Sequence, residues 1–375
     1  MKSKKNKTRI ITILVSLLLG GWLGYLGAAV GRQAAASLPA SVIITLAVLF
    51  LPAFFFAIAV HEAGHAWAGV RMNFDFRTFV VGPLLWDKRP EGWRFMWNRN
   101  INISGGLVIC IPRGTENLAN RFCFYGAGGP LASLLLALAA AGLFFAGRTW
   151  GGPGVVMQGL VYTCLMLAFL SACIFLITAI PLHTGGFYSD GARVLRFLRG
   201  GDTARFDVLL LKLVSNSMAG NRPALQSRDE LQEALDLGTR LESPMTVYVS
   251  YYFYQWALDT GHLDEAELHL NNYVQRAEDV PEGLRGTVWL EAAYYYAVVR
   301  QLAEKAEEFL TLYRPSALTP LAVEYATRAA LARLRGNSGE FNTWLVKAEN
   351  ALPHMMDRGA MQLVRERIEA MKTGS

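Results

Sequence analysis

Charge is scarce in this chain and unevenly shared. Of 375 residues only 18% are Asp, Glu, Lys or Arg, while 53% are hydrophobic, which is too apolar for an ordinary soluble protein. Acidic residues are nearly missing from the first half. Of the 30 Asp and Glu, 6 precede Gly200, against 18 of the 36 Lys and Arg, so the first part carries 18 − 6 = +12 and the rest 18 − 24 = −6. That split excludes a uniform basic surface for nucleic acid, and the apolar content excludes disorder over most of the chain. Cysteine is equally sparse. Cys110, Cys123, Cys164 and Cys173 all lie in the apolar half without C-x-x-C spacing, which excludes a disulfide framework or structural zinc cluster and leaves small buried hydrophobes. From Asp202 onward there is no cysteine and no glycine-rich phosphate loop.

What the first half does have is long apolar runs. A bilayer core of about 30 Å needs roughly 20 helical residues, and four stretches qualify: Ile10 to Val30, Ser41 to Val70, Phe124 to Ala146 and Val155 to Ile180. The first follows Lys2, Lys4, Lys5, Lys7 and Arg9 and precedes Ala34-Ala35-Ala36, so a cleaved signal peptide competes with a retained helix. Its length favours retention. Basic residues accumulate on the cytoplasmic side of membrane helices. Four crossings from an inside N-terminus place Arg32 and Arg148 outside, and Arg71, Arg77, Lys88, Arg89, Arg94, Arg99, Arg113 and Arg121 inside. Both termini are therefore expected in the cytoplasm, and the short basic tail suggests a bacterial inner membrane.

Between Arg71 and Arg121 the pattern shortens. Phe76 to Val81, Trp93 to Trp97 and Leu107 to Ile111 are cut by Gly82-Pro83, Pro90-Glu91-Gly92, Gly105-Gly106 and Pro112, as strands and hairpins are. A small β region over about 71–120, lying against the cytoplasmic face with Trp93, Phe95 and Trp97 at the interface, is expected. Its edge could accept an extended peptide, or it could serve only as a cap.

The chemistry centres on His61-Glu62-Ala63-Gly64-His65. Histidines at i and i+4 project from one helical face and can reach one metal ion, with the intervening glutamate beside the open coordination position. Zinc lowers the pKa of bound water to about 7, and Glu62 can take the proton as that water attacks a carbonyl. Three ionisable groups within five residues of an apolar helix are costly and call for a function. A third ligand is needed. Asp190 lies on the same cytoplasmic side as the histidines, whereas His183 competes as a lone loop histidine, and Asp75, Asp87, Glu91 and Glu116 are the other carboxylates of this half. The extended metzincin pattern fails at Ala68 and Arg71.

These motifs resemble a known family. HEAGH in a membrane helix, Gly-Ala-Gly-Gly-Pro-Leu-Ala-Ser around Gly129-Pro130, and Asp190-Gly191 after a proline-ended helix are similar to the site-2 protease family of intramembrane zinc metalloproteases, over about residues 41 to 200. The resemblance implies His61, His65 and Asp190 as zinc ligands and Glu62 as general base. It also likens Val81-Gly82-Pro83 to the loop that follows this helix in some members. Family members often carry asparagine where this chain has Ser133, and Asn-x-x-Pro where it has Thr178-Ala179-Ile180-Pro181; those asparagines are thought to contact substrate backbone. Substrates of such a site are membrane-spanning or membrane-bound proteins or peptides whose helix is unwound near the cut, because helical carbonyls are shielded. Water must reach the metal, and Pro181 to Gly186 is the expected opening.

From Asp202 onward the chain is mixed in charge and helical in period. Tyr251 to Leu270, Trp289 to Leu310 and Tyr325 to Trp344 look alike, with corresponding positions 40 and 35 residues apart, near the ~34-residue tetratricopeptide period. Helix pairs stacked into a short repeat domain could bind a peptide or protein partner. Tyr251, Tyr252, Phe253, Tyr254, Tyr294, Tyr295 and Tyr296 are expected to pack between helices, and His262, His269 and His354 to be solvated.

The expected fold is mainly α. A polytopic bundle of about four transmembrane helices with a small membrane-associated β region (1–200) precedes a soluble cytoplasmic α-helical repeat domain (201–375). The expected activity is zinc-dependent peptide hydrolysis in contact with the lipid bilayer, with one zinc per chain and no nucleic acid. The alternative is a catalytically silent membrane scaffold or receptor acting through its repeats. A metal-ion transporter fits four helices poorly.

Overall fold

The computed structural model describes residues 21–373 except 22–23, 26, 30, 34–35, 37, 90–91, 99–104, 153, 185–186 and 317–318. The chain divides into two compact units. One comprises 1–88, 93–110 and 119–199, and the other comprises 200–375 with 89–92 and 111–118.

Three long helices dominate the first unit: α1 (Ala40–Arg71), α2 (Leu118–Trp150) and α3 (Val155–Ala179). At 1.5 Å per residue, even the 25 residues of α3 reach about 37 Å, enough to cross a hydrocarbon core of about 30 Å. Their outer faces are apolar and uncovered, with Ile44, Val48 and Leu51 on α1, Leu135, Leu138 and Phe145 on α2, and Val156 and Leu160 on α3 exposed. Such continuous apolar surface suits lipid and not water. Three of the four expected crossings fall on these helices. Much of the first, Ile10 to Val30, lies outside the described residues.

Helices α1 and α2 approach closely through glycine. A β carbon at Gly64 would collide with the Gly128 carbonyl and the Ala132 methyl, and one at Gly128 would collide with the Gly64 carbonyl. The small residues of HEAGH and of the glycine run are thus packing requirements that bring two helix backbones together.

Between α1 and α2 lies a four-stranded sheet of β1 (Phe74–Val81), β2 (Leu84–Arg89), β3 (Gly92–Trp97) and β4 (Leu107–Pro112), in the order β3-β2-β1-β4. Strands β1 and β2 form an antiparallel hairpin with Val81 opposite Leu84. Its turn uses Gly82 at φ +54°, where a β carbon would run into the Phe55 ring. Three strands match the expected apolar runs. Strand β2 is an addition, because its Asp87-Lys88-Arg89 end reads as a charged loop. Trp93, Phe95 and Trp97 are exposed, while Trp93 and Phe95 also contact Phe76 and Trp86, at ring separations of 4.9 and 5.4 Å.

After α3 come two-residue strands β5 (His183–Thr184) and β6 (Phe187–Tyr188), then helix α4 (Asp190–Arg199). Ser189 fixes this corner. Its hydroxyl donates to the Ile180 carbonyl at 2.7 Å and accepts from the Leu182 and Ala192 amides at 3.0 and 3.2 Å, the last being a helix N-cap. A β carbon on Gly191 would collide with the Ala179 carbonyl, so α4 can start here only with glycine behind its first residue.

The second unit is helical. Helices α5 (Gly201–Ala219) and α6 (Arg228–Arg240) precede three helix pairs: α7 (Thr246–Asp259) with α8 (Leu263–Gln275), α9 (Glu282–Tyr294) with α10 (Ala303–Leu312), and α11 (Leu321–Leu334) with α12 (Ser338–Ala351). Helix α13 (Arg358–Thr373) follows. The three look-alike segments each fall on one pair. Tyr252, Phe253, Tyr254, Tyr294, Tyr295 and Tyr296 are buried in the core, as packing residues should be. His262 and His354 are exposed. His269 corrects its expectation: it is buried and stacked on Phe253 at 3.9 Å, and burial lowers its pKa. An apolar helix face hid it, since a single histidine leaves the helical period intact. The four cysteines are free, with Cys110 buried and the others partly so.

Candidate metal centre

Helix α1 carries His61, Glu62 and His65, which are 6%, 9% and 6% exposed. The i, i+4 spacing sets both imidazoles on one face, with Nε2 atoms 3.3 Å apart. The first residue of α4, Asp190, brings its Oδ2 to 3.4 Å from His61 Nε2 and 3.2 Å from His65 Nε2. Residues separated by as many as 129 positions thus converge on one point, and among the described residues they form a cluster able to hold a metal ion.

The cluster passes three tests of fit to zinc. Zn–N distances of about 2.0–2.1 Å in a tetrahedral shell put neighbouring ligand atoms about 3.3 Å apart, which is the spacing found. The outer ring nitrogens are occupied: His65 Nδ1 donates to the Tyr125 carbonyl at 2.8 Å, and His61 Nδ1 lies 2.9 Å from Ser133 Oγ, leaving both Nε2 atoms directed inward. Finally, Gly129 leaves space. A β carbon there would collide with His65 Nε2 and lie 2.8 Å from His61 Cε1. At Asp190, burial alone would raise the carboxyl pKa, but hydrogen bonds and charge from His61 and His65 outweigh it and hold the group well below the usual carboxylate range.

Two other carboxylates of this half are engaged on the sheet. Asp75 pairs with Arg77 and with Lys88 at 2.9 Å, and Asp87 accepts from Thr78 at 3.0 Å. Glu91 lies outside the described residues. His183 sits in β5 opposite Tyr188.

A cleft of about 470 Å³ opens onto His61, Glu62, His65 and Asp190. On one side it is lined by Gly106, Leu107 and Val108 at the start of β4, and on the other by Thr178, Leu182 and Arg193. Tyr125 ties two walls together, its ring 5.4 Å from that of His65 and its hydroxyl donating to the Val108 carbonyl at 3.0 Å. Thr178 turns its hydroxyl back to the Ile174 carbonyl at 2.9 Å.

Four participants were not legible as such. Tyr125 holds His65 through its backbone carbonyl, which no side-chain pattern reports, besides its ring and hydroxyl contacts. Gly106 reads as strand punctuation, yet at φ +112° it lets the backbone press on the glutamate: a β carbon there would run into Glu62 Oε1 and lie 2.9 Å from Ile58 Cγ2. Arg193 is one helical turn beyond Asp190, a spacing that could have flagged it. Ser133 stands out in sequence only as a missing asparagine.

The same region is found by comparison with known proteins. A family model described as peptidase family M50 matches residues 49–314. No curated protein and no solved structure matches the chain. A match over most of the chain, with the paired histidines, the glutamate between them and the aspartate all inside it, assigns the molecule: the chain belongs to peptidase family M50, the site-2 protease family of membrane metallopeptidases.

Proposed function

We propose that the protein is an intramembrane zinc metalloprotease in which His61, His65 and Asp190 hold the metal and Glu62 is the general base. The observation that carries this reading is the convergence of three ligand atoms within 3.4 Å, beside a buried glutamate and at the foot of apolar helices. Zinc bound there supplies a Lewis acid for a peptide carbonyl and lowers the pKa of water to about 7.

The chain's own groups do the rest. Glu62 accepts the proton of the attacking water on its carboxylate and delivers it to the leaving amide nitrogen. Arg193, which lines the same cleft, supplies positive charge to the carbonyl oxygen as it becomes negative. Strand β4 ends the sheet order, pairing with β1 among the described residues, and its first residues line the cleft. A substrate segment unwound from its helix can add to that edge as a further strand, which presents its carbonyls to the site in extended form.

Substrates are proteins or peptides that span or lie on the membrane. The protein itself is integral to a bacterial inner membrane, with both termini cytoplasmic, and the exposed Trp93, Phe95 and Trp97 lie at the interface. The three helix pairs of the second unit form a tetratricopeptide-like domain that recruits substrate or regulator. Cleavage of a reconstituted transmembrane peptide by Glu62→Gln, measured beside its zinc content, tests the enzyme reading. Zinc is kept and cleavage lost if Glu62 is the base, whereas a silent scaffold shows no metal-dependent cleavage even in the wild type.

A further inference from the structure

The histidine pair of α1 is supported from outside the metal cluster by an unequal pair of partners. His65 Nδ1 faces a backbone carbonyl, which can only accept, so that ring carries its proton on Nδ1. His61 Nδ1 instead faces the hydroxyl of Ser133, which can donate or accept. If Ser133 donates, the proton of neutral His61 sits on Nε2, pointing at His65 Nε2 and Asp190 Oδ2, and that nitrogen has no lone pair for a metal. If Ser133 accepts, His61 presents the lone pair on Nε2. The tautomer of one ligand therefore depends on a single side chain.

Ser133 is tied to both neighbouring helices, by its hydroxyl to α1 and by its backbone carbonyl to α3. Ser133 is fully buried and lies one turn after Gly129 on α2, so the same face supplies both the space for the imidazoles and the partner for one of them. Its backbone carbonyl accepts a hydrogen bond of 2.8 Å from Ser171 of α3, itself fully buried. In an apolar membrane core neither hydroxyl finds a water-filled alternative, and polar contacts there persist mainly where they are satisfied. Three membrane helices are thus joined in series: Ser171 of α3 to Ser133 of α2, and Ser133 to His61 of α1.

We infer that Ser133 is a positioning residue for the metal centre: it accepts the Nδ1–H of His61 and so turns the Nε2 lone pair toward His65 and Asp190, while Ser171 holds Ser133 in register. This rests on the zinc reading above and adds to it a residue that is not itself a ligand. Partners of this kind are worth about 10–100-fold in metal affinity.

The test uses an isosteric pair, Ser133→Thr and Ser133→Val, in the full-length protein in detergent. Apparent affinity is measured by chelator competition for zinc, and the visible absorption of the cobalt-substituted protein reports ligand geometry. Neither readout depends on cleavage. Ser133→Thr is expected to stay within a few-fold of wild type with an unchanged cobalt spectrum, and Ser133→Val to lose on the order of 10–100-fold with an altered spectrum. Ser171→Ala is expected to fall between them. Equal affinity and spectra for Thr, Val and wild type would overturn the inference while leaving the zinc reading intact. A wild type that binds no metal would overturn both. Loss with Thr as great as with Val would also overturn the inference, by showing that shape and not the hydroxyl matters.

Discussion

Gly129 packs against His65 so closely that its missing side chain shapes the candidate metal site: a β carbon would occupy the space beside both imidazoles. The glycine therefore makes room for the proposed ligands of a neighbouring helix. Overpacking of this kind costs about 1–3 kcal/mol, so Gly129→Ala is expected to weaken zinc binding on the order of ten- to a hundredfold. Gly142 lies on the same helix with open space around it, and Gly142→Ala should leave affinity unchanged. Chelator competition on the two variants checks the contrast.

Gly106 bears the same relation to Glu62, the proposed general base. At φ +112° it is strained for any other residue, and an added methyl would displace the Glu62 carboxylate. Gly106→Ala is expected to keep full zinc content and to lose about a hundredfold in cleavage rate, the effect of moving a reacting group by about 1 Å. Parallel metal analysis and peptide cleavage check it.

How far these relationships were legible follows from what a sequence pattern can report. Helical spacing gives the face on which His61 and His65 stand, because i and i+4 are local. It does not give what lies opposite, and Ser133, Gly129 and the Tyr125 carbonyl are all supplied by another helix. Asp190 was reachable through topology, as a carboxylate on the correct side of the last crossing. Its placement, however, depends on Ser189 and Gly191, whose hydrogen bonds and close approach to Ala179 become visible only in three dimensions. Strand β2 escaped notice because half of it is charged, and His269 was expected in solvent because nothing local distinguishes a buried histidine on a helix from an exposed one.

The helical unit holds a carboxyl group that makes its stability depend on pH. Glu291 is buried, with Gln255 Nε2 at 3.4 Å; burial first, and the charge of Asp357 second, push its pKa up to about 8. The folded chain thus keeps a proton that the unfolded chain releases near pH 4.5. This contribution is fully present below about pH 4.5 and is lost as pH rises to about 8, and Asp357, also raised by burial, acts in the same direction. Thermal unfolding of the full-length protein in detergent, followed by intrinsic fluorescence, checks it. Glu291→Gln should melt close to wild type at pH 5 and several degrees above it at pH 8.

The central claim is that residues from two distant parts of the chain share one metal ion. Zinc per chain in detergent-purified protein, compared among wild type, His61→Ala and Asp190→Ala, tests it most directly. The account predicts near one zinc in the wild type and clear loss in both variants. No zinc in well-folded wild type, or full zinc in Asp190→Ala, would contradict it.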